Sequence, residues 1–183
     1  MRHIPNIISV IRILLVLPIA LALGHQLLAL SIMLFAFAAI SDAADGFLAK
    51  RFGWQSELGA VLDPIADKLL LATVFITLSF MHLVPLWLMI VAVARDVIIV
   101  SGAIAYRIVI GPLTAHPSFI SKVNTLCQAG YILAVVSQAK FLVPPEWVST
   151  WLGALVFATV AVSGIDYVLV YGRRAAAARG AAA

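Results

Sequence analysis

The sequence predicts an all-α, polytopic membrane protein with six transmembrane helices and both termini on the cytoplasmic side. Hydrophobic residues make up 64% of the 183 residues and charged residues only 11%, whereas about 25% of the residues in a soluble domain are charged. Six apolar segments, each near the ~20 residues that a helix needs to cross a bilayer, follow one another along the chain. Most of the basic residues lie on one side of these segments, which indicates their orientation.

The predicted helices differ in where their polar residues lie. The first contains a short apolar run, Ile13–Leu23, which has the length of a signal-peptide core. Because five further apolar segments follow it, we interpret this run as part of a retained first helix. The first five segments carry polar residues chiefly near one end, whereas the sixth contains a long uncharged run, Trp147–Ile165. The predicted spans are Ile7–Leu23, Leu27–Lys50, Leu58–Phe80, Val84–Tyr106, Phe119–Ala139 and Trp147–Tyr171.

Lysine and arginine residues between the spans identify the cytoplasmic side. Those that fall on one side under the six-span arrangement are Arg2, Lys50, Arg51, Arg107, Lys122, Arg173, Arg174 and Arg179. The opposite loops contain one such residue, Lys140, together with His25, His82 and Glu146. Because cytoplasmic loops carry an excess of lysine and arginine, both termini are predicted to be cytoplasmic.

The charge distribution also bears on partners and on domain organisation. The formal net charge is +4, but the bases lie between apolar spans rather than in one patch, which favours anionic lipid over nucleic acid as a partner. The single cysteine, Cys127, excludes an internal disulfide. At this length we expect one transmembrane domain, residues 1–174, followed by a low-complexity tail, residues 175–183.

Four aspartates lie in one window, SDAADGFLAKRFGWQSELGAVLDPIADK, at the predicted cytoplasmic ends of the second and third helices; with Glu57 the window holds five of the eight acidic residues. Asp42 and Asp45 are three residues apart and Asp63 and Asp67 are four apart, so each pair projects from one helix face. A short turn between antiparallel helices would bring the two faces together. Four carboxylates this close must take up protons or bind cations, and hard oxygen ligands suit Mg²⁺, Mn²⁺ or Ca²⁺.

An alternative interpretation is that these are ordinary helix-end carboxylates in contact with water and neighbouring lysines. Acidic residues within membrane segments are usually functional, and four in register favour the functional interpretation. Small residues accompany them: Gly46 follows Asp45, and Ala49 and Gly59 lie within one turn of an aspartate. They would leave room for a large ligand near the backbone, or they would allow close packing of helices.

Together, the acidic and small residues resemble the signature of the CDP-alcohol phosphotransferase family. The positions that match it, with every spacing kept, are Asp42, Asp45, Gly46, Ala49, Gly59, Asp63 and Asp67. One position departs from the pattern, because the family usually has arginine where this chain has Lys50. Lysine keeps the charge but lacks the bidentate fork of arginine, and the neighbouring Arg51 is positioned to compensate.

This resemblance implies a homodimer with six transmembrane helices and a site for two divalent metal ions, Mg²⁺ or Mn²⁺, in each protomer. By the same resemblance, Asp42, Asp45 and Asp63 ligate metal, and Asp67 is the general base and also contacts a metal. The residues implied to bind the CDP group are Asp42, Asp45, Gly46, Ala49, Lys50, Arg51 and Gly59. The implied location is a bacterial or mitochondrial inner membrane, with the active site on the side that carries the termini.

Further segments are similar to the eukaryotic-type cardiolipin synthase branch of the family, and next to phosphatidylglycerophosphate synthases. They are IPNIISVIR, ARDVIIVSG, HPSFISKVNTLCQ and YGRR. The similarity implies transfer of a phosphatidyl group from CDP-diacylglycerol to phosphatidylglycerol, with release of CMP. The alternatives are glycerol 3-phosphate as the acceptor and, from another class of protein, a divalent-cation transporter.

Cationic residues are the candidates for binding the acceptor's phosphate, and Arg95 and Lys122 are predicted to do so. Alternatively, Arg95 pairs with Asp96 or with a helix end, because buried charges are usually paired, and Lys122 extends toward the membrane surface. Arg12 interrupts the first helix and therefore needs a partner, which is either a phosphate or an acid of the cluster. Lys68 has no role that the sequence identifies.

Overall fold

The computed structural model describes the backbone at residues 4–52, 57–109 and 119–180, and the side chains at residues 10–41, 65–102, 104 and 119–169. Six α-helices and no strands occur in this part of the chain. The helices are α1 (Ile4–Gly24), α2 (Leu28–Phe52), α3 (Glu57–Phe80), α4 (Leu86–Val109), α5 (Phe119–Phe141) and α6 (Glu146–Gly180). The all-α class and the six predicted helices are confirmed, because each apolar segment forms one continuous helix.

Helix α6 differs most from its predicted bounds. It continues past Tyr171 to Gly180 and thereby includes most of the segment that was assigned to a low-complexity tail. Residues 175–178 are all alanine, the residue with the highest intrinsic helix propensity. The helix can therefore continue there without an apolar face to bury. The division into a domain of residues 1–174 and a tail of residues 175–183 stays a prediction.

The helices pack around a common apolar core. Helix α1 lies against α2 and α3, α5 lies against α6, α2 and α3, and α4 lies against α3 and α6. Deeply buried core side chains come from all six helices and include Ile19, Phe35, Phe75, Leu78, Leu88, Ile132 and Val156. Polar contacts are buried among them: the Thr159 hydroxyl on α6 donates a 3.0 Å hydrogen bond to Oδ1 of Asn124 on α5.

Helices α1 and α3 end in the same way. Gln26 and His82 both adopt a left-handed backbone with φ of 59°. The amide of Gln26 donates to the carbonyl of Leu23, and the amide of Leu27 donates to that of Ala22. The corresponding bonds after α3 run from His82 to Ser79 and from Leu83 to Leu78. These pairs are a Schellman motif, which satisfies the free carbonyls of the last helical turn and reverses the chain.

Three connections, α1–α2, α3–α4 and α5–α6, meet at one end of the molecule. A cavity there is lined by Gln26 of the first connection, Met81 of the second and Lys140 in the last turn of α5. Consecutive helices therefore alternate in direction, with these connections at one end. The segments with the predicted acidic site lie toward the other end.

Two helical segments in the described part of the chain are long and apolar enough to cross a membrane, Phe119–Phe141 and Glu146–Leu169. Other helices also expose large apolar side chains: Leu14 and Met33 are 67% and 68% exposed. A soluble monomer rarely shows extended apolar surface of this kind, whereas a lipid environment would cover it. These features are consistent with a membrane protein.

Contact between α4 and α6 depends on a glycine. The Tyr167 hydroxyl on α6 donates a 2.9 Å hydrogen bond to the carbonyl of Ile99 on α4. A Cβ atom added to Gly102 would lie 2.6 Å from that hydroxyl oxygen, which is closer than real Cβ contacts allow. The absence of a side chain at Gly102 thus permits the tyrosine to reach the α4 backbone.

Candidate functional site

The backbone places the predicted acidic residues on two helices as the sequence indicated. Asp42 and Asp45 lie within the continuous helix α2, and Asp63 and Asp67 lie within α3. Each pair therefore has the helical spacing that puts its members on one face. The side chains of Asp42, Asp45 and Asp63 lie outside the described part of the structure, whereas that of Asp67 is described.

Asp67 forms an ion pair with Arg12 of helix α1. The Arg12 Nη1 atom donates to Oδ1 of Asp67, and the arginine side chain is 2% exposed while that of the aspartate is 33% exposed. A buried guanidinium needs a negative partner within reach, and α1 packs against α3 so that this carboxylate supplies it. Of the two partners considered for Arg12, an acid of the cluster is confirmed.

Lys68, the next residue on α3, contacts a different helix. Its Nζ atom lies 2.5 Å from Oδ1 of Asp96 on α4. The same oxygen accepts a 2.6 Å hydrogen bond from Nη1 of Arg95. Asp96 is 8% exposed and Arg95 is 5% exposed, so the carboxylate is shared between two cations in a largely buried setting.

Two serines complete this arrangement. Nη2 of Arg95 donates to Oγ of Ser121 on α5 at 3.1 Å and to Oγ of Ser163 on α6. We call Lys68, Arg95, Asp96, Ser121 and Ser163 the Asp96 cluster. It joins α3, α4, α5 and α6 through side-chain contacts alone, and its charges sum to +1 when all three ionisable groups are charged.

The candidates for acceptor binding differ in how accessible they are. Arg95 forms the pair with Asp96 that was considered as an alternative, and that pairing is confirmed. Lys122 is exposed near the start of α5, as expected of a side chain that extends toward the membrane surface. Binding of the acceptor by either residue stays a prediction.

Sequence reasoning did not identify the two serines or a role for Lys68. Ser163 had a recognisable signal, because it is one of few polar residues in the long uncharged run of the sixth helix; the structure buries it to 1% exposure. Ser121 had no comparable sequence signal, since it lies next to Lys122 at a helix start, where polar residues are common. Lys68 follows the last aspartate directly, and its partner is 28 residues away in the chain.

The residues predicted to contact the CDP group lie at the ends of α2 and α3 that border residues 53–56. Their side chains fall outside the described part of the structure. They are Gly46, Ala49, Lys50, Arg51 and Gly59, together with Asp42 and Asp45. Their role stays a prediction.

The donor chemistry fits a divalent metal. Among the described side chains, no group of three His, Cys, Asp or Glu residues could hold an ion. This is expected, because three of the four aspartates have side chains outside the described part. The four predicted ligands are all carboxylates, the donors that hard cations such as Mg²⁺ and Mn²⁺ prefer. Asp67 is one-third exposed and therefore accessible, as such a ligand must be.

Comparison with known proteins identifies relatives over most of the helical region. A family model described as CDP-alcohol phosphatidyltransferase matches residues 2–168. The chain is 30% identical over 191 residues to the human cardiolipin synthase (CMP-forming) and 33% identical over 158 residues to that of Rattus norvegicus. These alignments cover 93% and 75% of this chain, respectively.

Another relative carries a different name. The chain is 32% identical over 178 residues to a probable phosphatidylglycerophosphate synthase of Mycobacterium tuberculosis, covering 91% of this chain and 80% of the relative. The chain spans 51% of the rat protein's length and 62% of the human protein's length. The predicted resemblance to this family, with the two named branches, is confirmed.

Proposed function

Because the chain belongs to the CDP-alcohol phosphatidyltransferase family, we propose that it transfers a phosphatidyl group from CDP-diacylglycerol to an acceptor alcohol and releases CMP. The observation that carries the proposal is the acidic signature on α2 and α3, set within a family match that extends over residues 2–168. The Arg12–Asp67 pair adds support, since it holds a cation against the last carboxylate of the signature.

Phosphatidylglycerol is the proposed acceptor, which makes the reaction that of a cardiolipin synthase. Support comes from three relatives with that activity in their names, at 30% to 33% identity. Glycerol 3-phosphate is the second candidate, and the relative from Mycobacterium tuberculosis favours it, because its alignment covers most of both chains. We propose that Arg95 and Lys122 contact the acceptor's phosphate in either case.

Members of this family use divalent metal, and we propose that Asp42, Asp45, Asp63 and Asp67 hold two Mg²⁺ or Mn²⁺ ions in each protomer. When bound there, the ions would neutralise the charge of the pyrophosphate and of the departing CMP. The CDP group is proposed to lie against Gly46, Ala49 and Gly59, with Lys50 and Arg51 near its phosphates. The carboxylates of Asp42 and Asp45 would border it.

Asp67 is the proposed general base. Its carboxylate would accept the proton of the acceptor hydroxyl while that oxygen forms a bond to the phosphatidyl phosphorus and the bond from that phosphorus to the CMP oxygen breaks. CMP leaves with the electron pair of the broken bond. Arg12, buried beside Asp67, would orient the carboxylate and stabilise its charged form before the proton is transferred.

The membrane arrangement is part of the proposal. We propose six transmembrane spans with both termini cytoplasmic, a transmembrane domain of residues 1–174 with a tail of residues 175–183, and assembly as a homodimer. The meeting of three connections at one end of the helices supports this topology. The proposed location is a bacterial or mitochondrial inner membrane, with the acidic site on the side of the termini.

An assay with separate acceptors tests the function. Purified protein with CDP-diacylglycerol and Mg²⁺ or Mn²⁺ is supplied with phosphatidylglycerol or glycerol 3-phosphate, and both CMP and the lipid product are measured. We expect CMP and cardiolipin with phosphatidylglycerol. CMP with glycerol 3-phosphate alone would assign the second acceptor, and no CMP with either, together with metal flux into vesicles, would indicate a transporter.

A further inference from the structure

We propose that the Lys68–Asp96 pair is a positioning device that sets the rotation of α3 and thereby the placement of Asp67. The inference rests on the proposed function, because it concerns how a proposed base and metal ligand is held. Neither Lys68 nor Asp96 is assigned contact with the metal or with a substrate. Their effect is transmitted through the α3 backbone.

Adjacent residues on α3 are tied to different helices. Asp67 pairs with Arg12 on α1, and Lys68 pairs with Asp96 on α4. Successive side chains on an α-helix point about 100° apart. A rotation of α3 that preserved one pair would therefore displace the other, and the two pairs together define one rotational setting of the helix.

Asp96 is a firm attachment point because it belongs to a buried network. Arg95 binds the same carboxylate oxygen as Lys68 and also contacts Ser121 and Ser163 on two further helices. The two members of an exposed ion pair can separate at little cost in free energy, because water solvates each charge. Arg95 and Asp96 are 5% and 8% exposed, so separation of this cluster would leave buried charges without partners.

A small rotation of α3 would be enough to disturb a metal site. The tip of a side chain lies about 6 Å from the helix axis, so a rotation of about 20° moves it by about 2 Å. Distances between a metal and its ligands tolerate deviations of only about 0.2 Å. Asp63 lies on α3 one turn before Asp67, so both proposed ligands would move together.

Replacement of Lys68 by methionine tests the link most directly. The Lys68→Met variant cuts the contact from α3 to Asp96 but leaves the Arg95–Asp96 pair and both serine contacts in place. Loss of a positive charge beside a cation site would, through electrostatics alone, strengthen metal binding. Loss of positioning would weaken it, by about 10-fold or more. The two effects therefore differ in sign.

The measurement is binding of Mn²⁺ to the purified full chain in detergent, by electron paramagnetic resonance, with CMP release measured in parallel. We expect Lys68→Met and Asp96→Asn to bind Mn²⁺ about 10-fold more weakly than the wild type and to have a lower kcat. Lys68→Arg, which keeps the charge and can still reach Asp96, should recover most of the binding.

A matched control separates positioning from general stability. Thr159→Val removes the buried hydrogen bond to Asn124 between α5 and α6 and none of the hydrogen bonds or ion pairs that define the Asp96 cluster. We expect it to lower the Tm while Mn²⁺ affinity stays at the wild-type value.

Unchanged or tighter Mn²⁺ binding by Lys68→Met, in a preparation whose wild type binds Mn²⁺ and releases CMP, would overturn this inference alone. A wild type that neither binds Mn²⁺ nor releases CMP would overturn the proposed function and this inference with it.

Discussion

Arg12 and Asp67, 55 residues apart in the chain, form an ion pair between α1 and α3 in which the arginine is 2% exposed and the aspartate 33% exposed. The pair ties the first helix to the last aspartate of the acidic signature. The guanidinium is buried, while part of the carboxylate stays open to solvent or to a ligand.

Replacement of Asp67 by asparagine is expected to lower CMP release by at least about 100-fold, because the amide cannot accept the proton of the acceptor hydroxyl. Metal binding should be weakened but partly retained, since three other carboxylates remain. Mn²⁺ binding and CMP release measured on the same preparation check this. Turnover within a few-fold of the wild type would exclude Asp67 as the base.

The Arg12–Asp67 pair is expected to couple in a double-mutant cycle of thermal stability. Arg12→Leu removes the guanidinium from beside Asp67 and should lower the Tm. Asp67→Asn leaves the buried guanidinium facing a neutral amide, and breaking a buried pair in this way costs about 3–5 kcal/mol. The double variant should be more stable than the sum of the two losses implies. Additive losses in thermal unfolding would argue against direct coupling.

Introduction of a methyl group at Gly102 is expected to destabilise the contact between α4 and α6. Its Cβ would collide with the Tyr167 hydroxyl, 2.6 Å away, at a cost of about 1–3 kcal/mol. Gly164→Ala is the matched control, because no atom lies within 4 Å of the Cβ position there.

Thermal unfolding in one detergent compares the two glycine variants, and Gly102→Ala should have the lower Tm. Adding Tyr167→Phe to Gly102→Ala should recover part of the loss, since it removes the colliding oxygen. Equal Tm values for Gly102→Ala and Gly164→Ala would contradict the close approach that the structure shows.

Removal of metal is expected to abolish CMP release. After treatment with EDTA, activity should return with Mg²⁺ or Mn²⁺, because carboxylate ligands select hard cations. The Tm of the full chain should rise with added Mn²⁺ in the wild type and less so in Asp67→Asn, since a ligand that binds only the folded state stabilises it. Full activity in excess EDTA would refute the metal proposal.

Topology is testable with introduced cysteines, because Cys127 is the single native cysteine. In a Cys127→Ala background, Lys140→Cys marks the end where three connections meet, and Ala177→Cys marks the tail. An impermeant thiol reagent applied to cells is expected to label the first and not the second, in keeping with the excess of bases on the tail side. The reverse pattern would invert the proposed orientation.

The helices and the acidic signature were predictable because both depend on local features of the chain. Each apolar segment is long enough to form a helix, and the three- and four-residue spacings of the aspartates place each pair on one helix face whatever the packing. The end of α6 was less predictable. Its alanine-rich extension to Gly180 has no apolar pattern, so only helix propensity could indicate it.

Hydrophobicity and residue spacing are properties of short stretches of chain, so they were enough to predict an all-helical protein, its six helices, its family and four aspartates as candidate site residues. Long-range partners depended on how the helices pack. Arg12 meets Asp67, 55 residues away, Lys68 meets Asp96, 28 residues away, and Arg95 meets Ser163, 68 residues away. A charge in an apolar helix requires a partner, but several acids could have met each cation. Helix packing selected one, because α1 and α4 both lie against α3 and present Arg12 and Asp96 to adjacent residues of it.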